Sequence, residues 1–237
     1  MLDIASYTDI GGRPRNEDTV RYVTMGEDAL CMVLADGLGG HGGGELASAA
    51  AAESICQGWD GTADAEVLKS LMKEANRRVL TIQTPQCAMK TTAAVLTLAG
   101  ERAVWAHAGD SRLYYFQNGT LAFQTRDHSV AQLGVLLGDI TTDQIRFHED
   151  RNRVLRALGQ DEELTVETGE QTLGGGRHAF LLCSDGFWEY VLEQEMEKDL
   201  KEAAGPEDWL ERMRRRLKER ISTDNDNNTA AAVWLSR

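Results

Sequence analysis

The sequence has few of the residues that mark several common classes of protein. Its 237 residues include four cysteines, none of them in a CxxC pair, and Cys31 and Cys183 lie inside apolar runs. This spacing favours buried free thiols of a reducing compartment over a disulfide framework. No apolar run approaches the ~20 residues of a membrane span, and the N-terminus lacks the charged and apolar regions of a signal peptide. We therefore expect a cytoplasmic protein with no membrane association.

Basic residues are also scarce. Lysine and arginine number 25 against 38 aspartates and glutamates, which gives a formal net charge of −13. Nucleic acid is excluded as a partner on this ground, because phosphate backbones bind to basic surfaces. With only three prolines and no Pro/Gly/Ser-rich linker, the chain is expected to form one domain, residues 1–237. Nothing in the sequence specifies an oligomer, so a monomer is the default expectation.

Hydrophobic patterning predicts strands and helices in blocks rather than in strict alternation. The predicted strands are 2–9, 19–25, a run ending at Asp36, 91–99, 102–108, 112–117, 120–124, 164–172, 178–184 and 229–235. The predicted helices are 44–58, 64–82, 192–203 and 206–220, and 128–159 is expected to be irregular with short helical pieces. Asn118-Gly119 is a strong signal for a two-residue hairpin. This order predicts an α+β fold, a four-layer αββα sandwich of two antiparallel sheets packed face to face and flanked by helices.

The most informative feature is a set of aspartates that follow short apolar runs. Asp36, Asp110 and Asp185 each stand at such a position beside small residues, which would fix their carboxylates at the edges of sheets. Acidic residues near both ends of the chain, Glu17-Asp18 and Asp226-Asn227, complete the pattern. Carboxylate and carbonyl oxygens are the ligands that Mg²⁺ and Mn²⁺ prefer, so the pattern predicts a site for divalent cations.

Seven short motifs carry a resemblance to a known family. They are Arg13-x-x-Asn16-Glu17-Asp18, Asp36-Gly37-Leu38-Gly39-Gly40-His41, Thr91-Thr92, Gly109-Asp110-Ser111-Arg112, Asp127-His128-Ser129, Ser184-Asp185-Gly186 and Asp226-Asn227-Asn228-Thr229. In this order the chain resembles the type 2C metal-dependent protein Ser/Thr phosphatases (the PPM family), and in particular their bacterial branch. Residues 138–155 are similar to the flap segment of that branch.

The resemblance implies an activity and a cofactor. The chain would hydrolyse phosphoserine and phosphothreonine in proteins through a water or hydroxide that bridges two Mn²⁺ or Mg²⁺ ions, with a third, weaker ion also implied. Its substrates would be phosphorylated proteins, with a separate Ser/Thr kinase as the source of the phosphate.

The resemblance also implies roles for individual residues. Asp36 would bridge the two ions, the Gly37 carbonyl would join one of them, and Asp185 and Asp226 would complete the coordination of the second ion. Glu17 and Asp18 would act through metal-bound waters, and Arg13 would bind the substrate phosphate. The third ion would be held by Asp110, with an oxygen from the flap near Asn152, and Asn227 would orient neighbouring ligands.

Several assignments have alternatives within the sequence. Asp224 lies two residues before Asp226 and competes for its place, and Arg15 competes with Arg13. The group that protonates the leaving oxygen is either His41 or a metal-bound water, because Leu38 stands where animal members of the family have a histidine. His128 is expected to have a structural hydrogen-bonding role.

Two other functions fit parts of the sequence. Gly37-x-Gly39-x-x-Gly42 formally fits a dinucleotide-binding fingerprint, but Asp36 would repel a pyrophosphate and the βαβ context is missing. A catalytically inactive phosphoprotein-binding domain on the same fold is the second alternative, since fold alone does not fix function. The intact set of aspartates favours an active enzyme.

Overall fold

The computed structural model describes residues 2–38 and 42–236. These residues form two β-sheets with helices packed on their outer faces. The strands are β1 Asp3–Asp9, β2 Asp18–Met25, β3 Ala29–Leu38, β4 Lys90–Thr91, β5 Ala93–Ala99, β6 Arg102–Ala108, β7 Arg112–Gln117, β8 Thr120–Gln124, β9 Glu167–Thr172, β10 Arg177–Cys183 and β11 Asn228–Ser236. The α-helices are α1 Gly44–Gly58, α2 Ala65–Ile82, α3 Val130–Leu137, α4 Asp185–Trp188, α5 Glu193–Glu202 and α6 Pro206–Arg220. A 3₁₀-helix covers Thr142–Phe147.

The two sheets confirm the predicted architecture. One has the strand order β1-β11-β10-β7-β8, and the other has the order β2-β3-β5-β6-β9 with the short β4 paired to β3. Every pair of strands in these orders is antiparallel. The first sheet carries α5 and α6 on its outer face and the second carries α1 and α2 on its own, which gives four layers.

Strand β3 contributes side chains to two hydrophobic cores, one on each of its faces. Leu30, Met32 and Leu34 belong to the core between the two sheets. Cys31 and Val33 belong to the core beneath α1 and α2. Successive side chains of a strand point to opposite faces, so a strand in an inner layer must be apolar at every position. Full burial of each large aliphatic side chain contributes roughly 1.5–3 kcal/mol.

Most predicted elements are present with bounds that differ by one or two residues. The Asn118-Gly119 hairpin joins β7 and β8, and both of its central residues have positive φ angles, 51° and 81°. These angles are those of a type I′ turn, whose twist matches that of the flanking strands. Within 128–159 the structure has α3 and the 3₁₀-helix, which fits the expected short helical pieces.

Three predictions of secondary structure were wrong in detail. The strand predicted at 91–99 is divided into β4 and β5, because Thr92 leaves the ladder to bind Asp36. The strand predicted at 164–172 begins only at Glu167, since Leu164 is buried in the core beneath α2. The short helix α4 was not predicted.

None of the described helices is long and apolar enough to span a bilayer.

Candidate metal centre and active site

An open cleft of about 730 Å³ lies at one end of the sandwich, where strands from both sheets stop. Residues lining it include Arg13, Arg15, Glu17, Asp36, Gly37, Asp110, Asn152, Val154, Asp185, Asp226 and Asn227. Among the residues assigned from the sequence, Asp18 lies buried behind the wall, with 7% of its surface exposed. His41 lies outside the described residues.

Strand register brings the distant carboxylates to this end. Asp18 at the start of β2 is directly opposite Asp36 near the end of β3. In the other sheet, Cys183 at the end of β10 faces the first residue of β7 on one side and the start of β11 on the other. Asp110, Asp185 and Asp226 each lie two residues beyond one of these strand ends. The antiparallel pairing therefore brings together five acidic side chains from segments far apart in the sequence: Asp18, Asp36, Asp110, Asp185 and Asp226.

These carboxylates repel one another in a buried setting. Burial raises the pKa of Asp36 and that of Asp185 well above the ordinary aspartate value, and neighbouring aspartates raise both further. The pKa of Asp110 rises to about 7, chiefly through burial and then through Asp127. Burial also raises the pKa of Asp18 to about 6. Close negative charges out of water are stable only with a counter-charge or a proton.

The donor set fits hard divalent cations. Oδ1 of Asp18 is buried and has no hydrogen-bond partner among the described residues, while its Oδ2 accepts a 2.8 Å bond from the hydroxyl of Ser184. The cleft offers carboxylate, amide and backbone oxygens, and it has no thiolate or imidazole among its described lining residues. Oxygen-only sites suit Mg²⁺ and Mn²⁺ rather than Zn²⁺ or copper.

The two candidate arginines both line the cleft but have different partners. Nε and Nη2 of Arg13 donate to the two carboxylate oxygens of Asp226, at 3.0 and 2.8 Å. Nη1 of Arg15 donates to Glu45 at 2.9 Å. The planar fork of Arg13 therefore already points at the carboxylate cluster in the geometry that suits a carboxylate or a phosphate.

The loop that carries Asp110 is fixed from several sides. Gly109 has a φ of 113°, and a Cβ there would lie 2.6 Å from the side chain of Thr92. His128 accepts a hydrogen bond from the amide of Gly109 on Nδ1, at 3.2 Å, and its own amide donates to the Gly109 carbonyl, at 2.9 Å. The indole of Trp188 donates to the carbonyl of Asp110 at 2.9 Å. This geometry gives His128 the structural hydrogen-bonding role that was expected for it.

Asn227 holds the segment that carries Glu17. Its Oδ1 accepts the amide of Glu17 at 2.8 Å, and its Nδ2 donates to the carbonyls of Ile10 and Arg15 at 2.7 and 2.9 Å. All of its side-chain atoms are thus used to position the backbone of 10–17. Asn152, within residues 138–155, also lines the cleft.

Sequence reasoning missed some contributors to the site. Ser184 binds Asp18, and Trp188 binds the Asp110 carbonyl beneath the stacked guanidinium of Arg112, which lies 3.5 Å from the ring centroid. Glu189, whose charge further raises the pKa of Asp185, is paired with Arg151 at 2.7 Å. Ser184 and Arg112 had a signal, since both stand in motifs that also contain a candidate ligand; the roles of Trp188 and Glu189 depend on packing between distant segments.

A second group of residues with potential metal-ligating side chains lies nearby, but its imidazole nitrogens do not point at a common position. Ligand atoms of His107, His128 and Glu167 are within 4.8 Å of one another. The two imidazoles are stacked, with centroids 4.5 Å apart and planes 8° apart. An imidazole lone pair lies in the plane of its ring, so parallel stacked rings cannot direct their nitrogens at one ion. Nδ1 of His128 is in addition occupied by the Gly109 amide.

Comparison with known proteins agrees with this fold. The sequence model of the family Protein phosphatase 2C matches residues 10–232. The serine/threonine phosphatase stp of Listeria welshimeri is 32% identical over 202 residues, which are 80% of this chain and 79% of the relative.

Two solved structures are similar over nearly the whole chain. The serine/threonine phosphatase PstP/Ppp of Mycobacterium tuberculosis has a TM-score of 0.86 and 28% identity, covering 100% of this chain and 99% of the other. The catalytic domain of a PstP protein in complex with two manganese ions has a TM-score of 0.81 and 27% identity, covering 98% and 97%.

The chain therefore belongs to the protein phosphatase 2C family. This confirms the resemblance carried by the seven motifs, and the relatives that match are bacterial, as expected. It also places the chain among the hydrolases, as a protein phosphatase.

Proposed function

We propose that this chain is a metal-dependent protein Ser/Thr phosphatase that hydrolyses phosphoserine and phosphothreonine by attack of water. The observation that supports this most directly is the convergence of Asp36, Asp110, Asp185 and Asp226 on one cleft. Their mutual repulsion calls for bound positive charge. The names of the relatives, serine/threonine phosphatases, and the two manganese ions of one of them support the same reading.

The chain's own residues would divide the work as follows. Asp36, the Gly37 carbonyl, Asp185 and Asp226 would hold two ions, with Glu17 and Asp18 reaching them through waters. Mn²⁺ or Mg²⁺ at these positions lowers the pKa of a water and neutralises phosphate oxygens. Asp110, with an oxygen from near Asn152, would hold a third ion.

Arg13 would bind the substrate phosphate. In this structure both of its fork donors are on Asp226, a residue that is also proposed as a metal ligand. If Asp226 is a metal ligand, the same two donors would be free to bind two phosphate oxygens. The side chain is half-exposed at the rim of the cleft, as a group that meets a protein substrate must be.

The backbone of Asp36 is held in place by Thr91 and Thr92, which lie beside it. The hydroxyl of Thr91 donates to the Asp36 carbonyl at 2.9 Å, and its backbone is bridged to Leu158. A ligand that is held on both sides of its backbone loses little conformational freedom when it binds an ion, which favours tight and well-ordered coordination.

The test is hydrolysis of p-nitrophenyl phosphate and of a phosphothreonine peptide, with Mn²⁺ and with chelator. Asp36→Asn should lower kcat by at least about 10³-fold, or about 4 kcal/mol, because positive charge at the cleft is the main catalytic device. Asp224→Asn is the matched control, since Asp224 is exposed and lies outside the cleft lining. Near-normal activity of Asp36→Asn, or no metal-dependent turnover of either substrate, would contradict the proposal.

The remaining parts of the proposal concern the setting of the enzyme. Its substrates would be phosphorylated proteins made by a separately encoded Ser/Thr kinase, and the enzyme would act as a cytoplasmic monomer. Size-exclusion chromatography with light scattering tests the last point.

A further inference from the structure

Exposed apolar side chains are concentrated on one short stretch of this protein. Among the described residues, eleven large hydrophobic residues are exposed, and five of them lie within 130–155. Three of the five belong to α3, where Leu133, Leu136 and Leu137 are 45%, 65% and 69% exposed. Their spacing of i, i+3 and i+4 puts them on one side of the helix. We call these three residues the leucine face.

The leucine face begins beside the catalytic cleft. Val154 lines the cleft and is bridged to Ser129, the N-cap of α3. The amide of Val130 donates to the Arg153 carbonyl at 3.0 Å, and the amide of Leu155 donates to the His128 carbonyl at 2.7 Å. The start of α3 is thus fixed to the segment 153–155, which contributes Val154 to the cleft, and the leucine face lies on the turns of α3 that follow.

Its position suits the chain of a substrate. From Val130 to Leu137 a helix advances about 10 Å, which an extended polypeptide covers in about three residues. A phosphoresidue held in the cleft would therefore place a side chain about three to five positions away over the leucine face. Burial of apolar area there would add to the binding of the flanking sequence.

A second copy of this chain fits the surface less well. Three leucines and the neighbouring Phe147, which is 83% exposed, offer on the order of a few hundred Å². A stable specific interface buries roughly 1,200 Å² or more in total. Two chains that each carry a net charge of −13 would also repel each other. A short, transient contact with a substrate needs neither a large area nor a neutral partner.

We propose that the leucine face is a docking surface for apolar residues of the phosphoprotein substrate, about three to five positions from the phosphoresidue. This proposal rests on the proposed function of the cleft. It makes α3 a determinant of substrate preference that is separate from the groups that bind phosphate and metal.

The test uses two phosphothreonine peptides that differ only in having leucine or glutamine at the positions three to five residues on either side. With Mn²⁺, the wild-type enzyme should show a kcat/KM about tenfold higher for the leucine peptide. The double substitution Leu136→Gln and Leu137→Gln should reduce that ratio to about one. Both side chains are exposed, and glutamine is a good helix former, so the fold should be retained.

Controls separate the docking surface from the catalytic site. Turnover of p-nitrophenyl phosphate, which has no flanking chain, should stay at the wild-type level in the double variant. Met25→Gln, a change at another exposed apolar side chain at the far end of β2, should leave the peptide ratio unchanged. Fluorescence anisotropy of the labelled peptides gives the same comparison from binding alone.

The outcomes are distinct. A peptide ratio of one in the wild type, or a ratio that survives the double substitution, would overturn the docking proposal while leaving the phosphatase proposal intact. Light scattering that finds a wild-type dimer and a monomeric double variant would also overturn it in favour of self-association. Loss of turnover of every substrate by the wild type would instead refute the proposed function, and anisotropy would then decide the docking proposal.

Discussion

Thr92 binds both backbone groups of Asp36. The Thr92 amide donates to the Asp36 carbonyl at 2.8 Å, and its Oγ1 accepts the Asp36 amide at 3.0 Å. The same hydroxyl lies 2.7 Å from the hydroxyl of Ser111, next to Asp110. One buried side chain thus connects strand β3, which carries Asp36, to the loop that carries Asp110, and this connection interrupts the strand between β4 and β5.

Thr92→Val should therefore affect both stability and metal binding. The substitution keeps the shape of the side chain but leaves the Asp36 amide and the Ser111 hydroxyl without their partner, which should cost about 1–3 kcal/mol of unfolding free energy. Mn²⁺ affinity should also fall, because the Asp36 amide loses the bond to Thr92 Oγ1 that helps to hold the backbone of Asp36 in place. Urea denaturation and Mn²⁺ titration calorimetry measure the two effects separately.

Thr97→Val is the matched control for that experiment. Thr97 is buried to a similar degree on β5, and its hydroxyl donates to the Val104 carbonyl at 3.1 Å, away from the cleft. We expect it to lower stability without changing Mn²⁺ affinity. An equal loss of affinity in both variants would mean that Thr92 acts only through general stability.

The sequence predicted the elements that depend on local patterns. The β7–β8 hairpin follows from Asn118-Gly119, and the helix α2 follows from its apolar stripe, because both signals lie within a few residues. The break at Thr92 and the short helix α4 depend on contacts between segments far apart in the chain, which no local window contains. The candidate ligands were found through seven ordered motifs, whereas the bond from Trp188 to Asp110 came only from the fold.

The competition between Arg13 and Arg15 can be decided by kinetics. Arg13→Ala should raise KM by about tenfold with a smaller change in kcat, because a charge-assisted bond to the phosphate is shared by the ground and transition states. Arg15→Ala removes a pair with Glu45 and should leave both parameters within about twofold. Steady-state assays on a phosphothreonine peptide provide the measurement. The reverse pattern would assign the phosphate to Arg15.

Acid should weaken the hold of His128 on the Asp110 loop. Burial, and then His107, lower the pKa of His128 to about 4 from an ordinary 6.5. The unfolded chain therefore takes up this proton at a higher pH than the folded one does, and the contribution of His128 to stability is lost as the pH falls from about 6.5 through about 4.

Denaturation of the wild type and of His128→Gln at several pH values between 7 and 4 measures this contribution. Glutamine can still accept the Gly109 amide but does not titrate. The free energy of unfolding of the wild type should fall more steeply with acid than that of the variant. Parallel curves for the two proteins would show that His128 is not held neutral by the fold.

The metal-free protein should be destabilised by its own candidate ligands. Burial and the neighbouring aspartates raise the pKa of Asp36, so its ionised form opposes folding when no cation is bound. Asp36→Asn removes one of these charges and supplies an amide donor to the others. In the presence of chelator the variant should melt higher than the wild type, by about 2–4 °C for each kcal/mol of repulsion relieved.

Mn²⁺ should reverse this order. A ligand that binds only the folded state at 100 times its Kd adds about 2.7 kcal/mol of stability, so the wild type should gain several degrees while Asp36→Asn gains little. Asp224→Asn, an exposed change, should follow the wild type in both conditions. If Asp36→Asn melted lower than the wild type in chelator, Asp36 would be a structural residue satisfied within the fold. If Asp36→Asn melts higher than the wild type in chelator and lower in Mn²⁺, the clustered carboxylates destabilise the metal-free fold and bound cations remove that destabilisation.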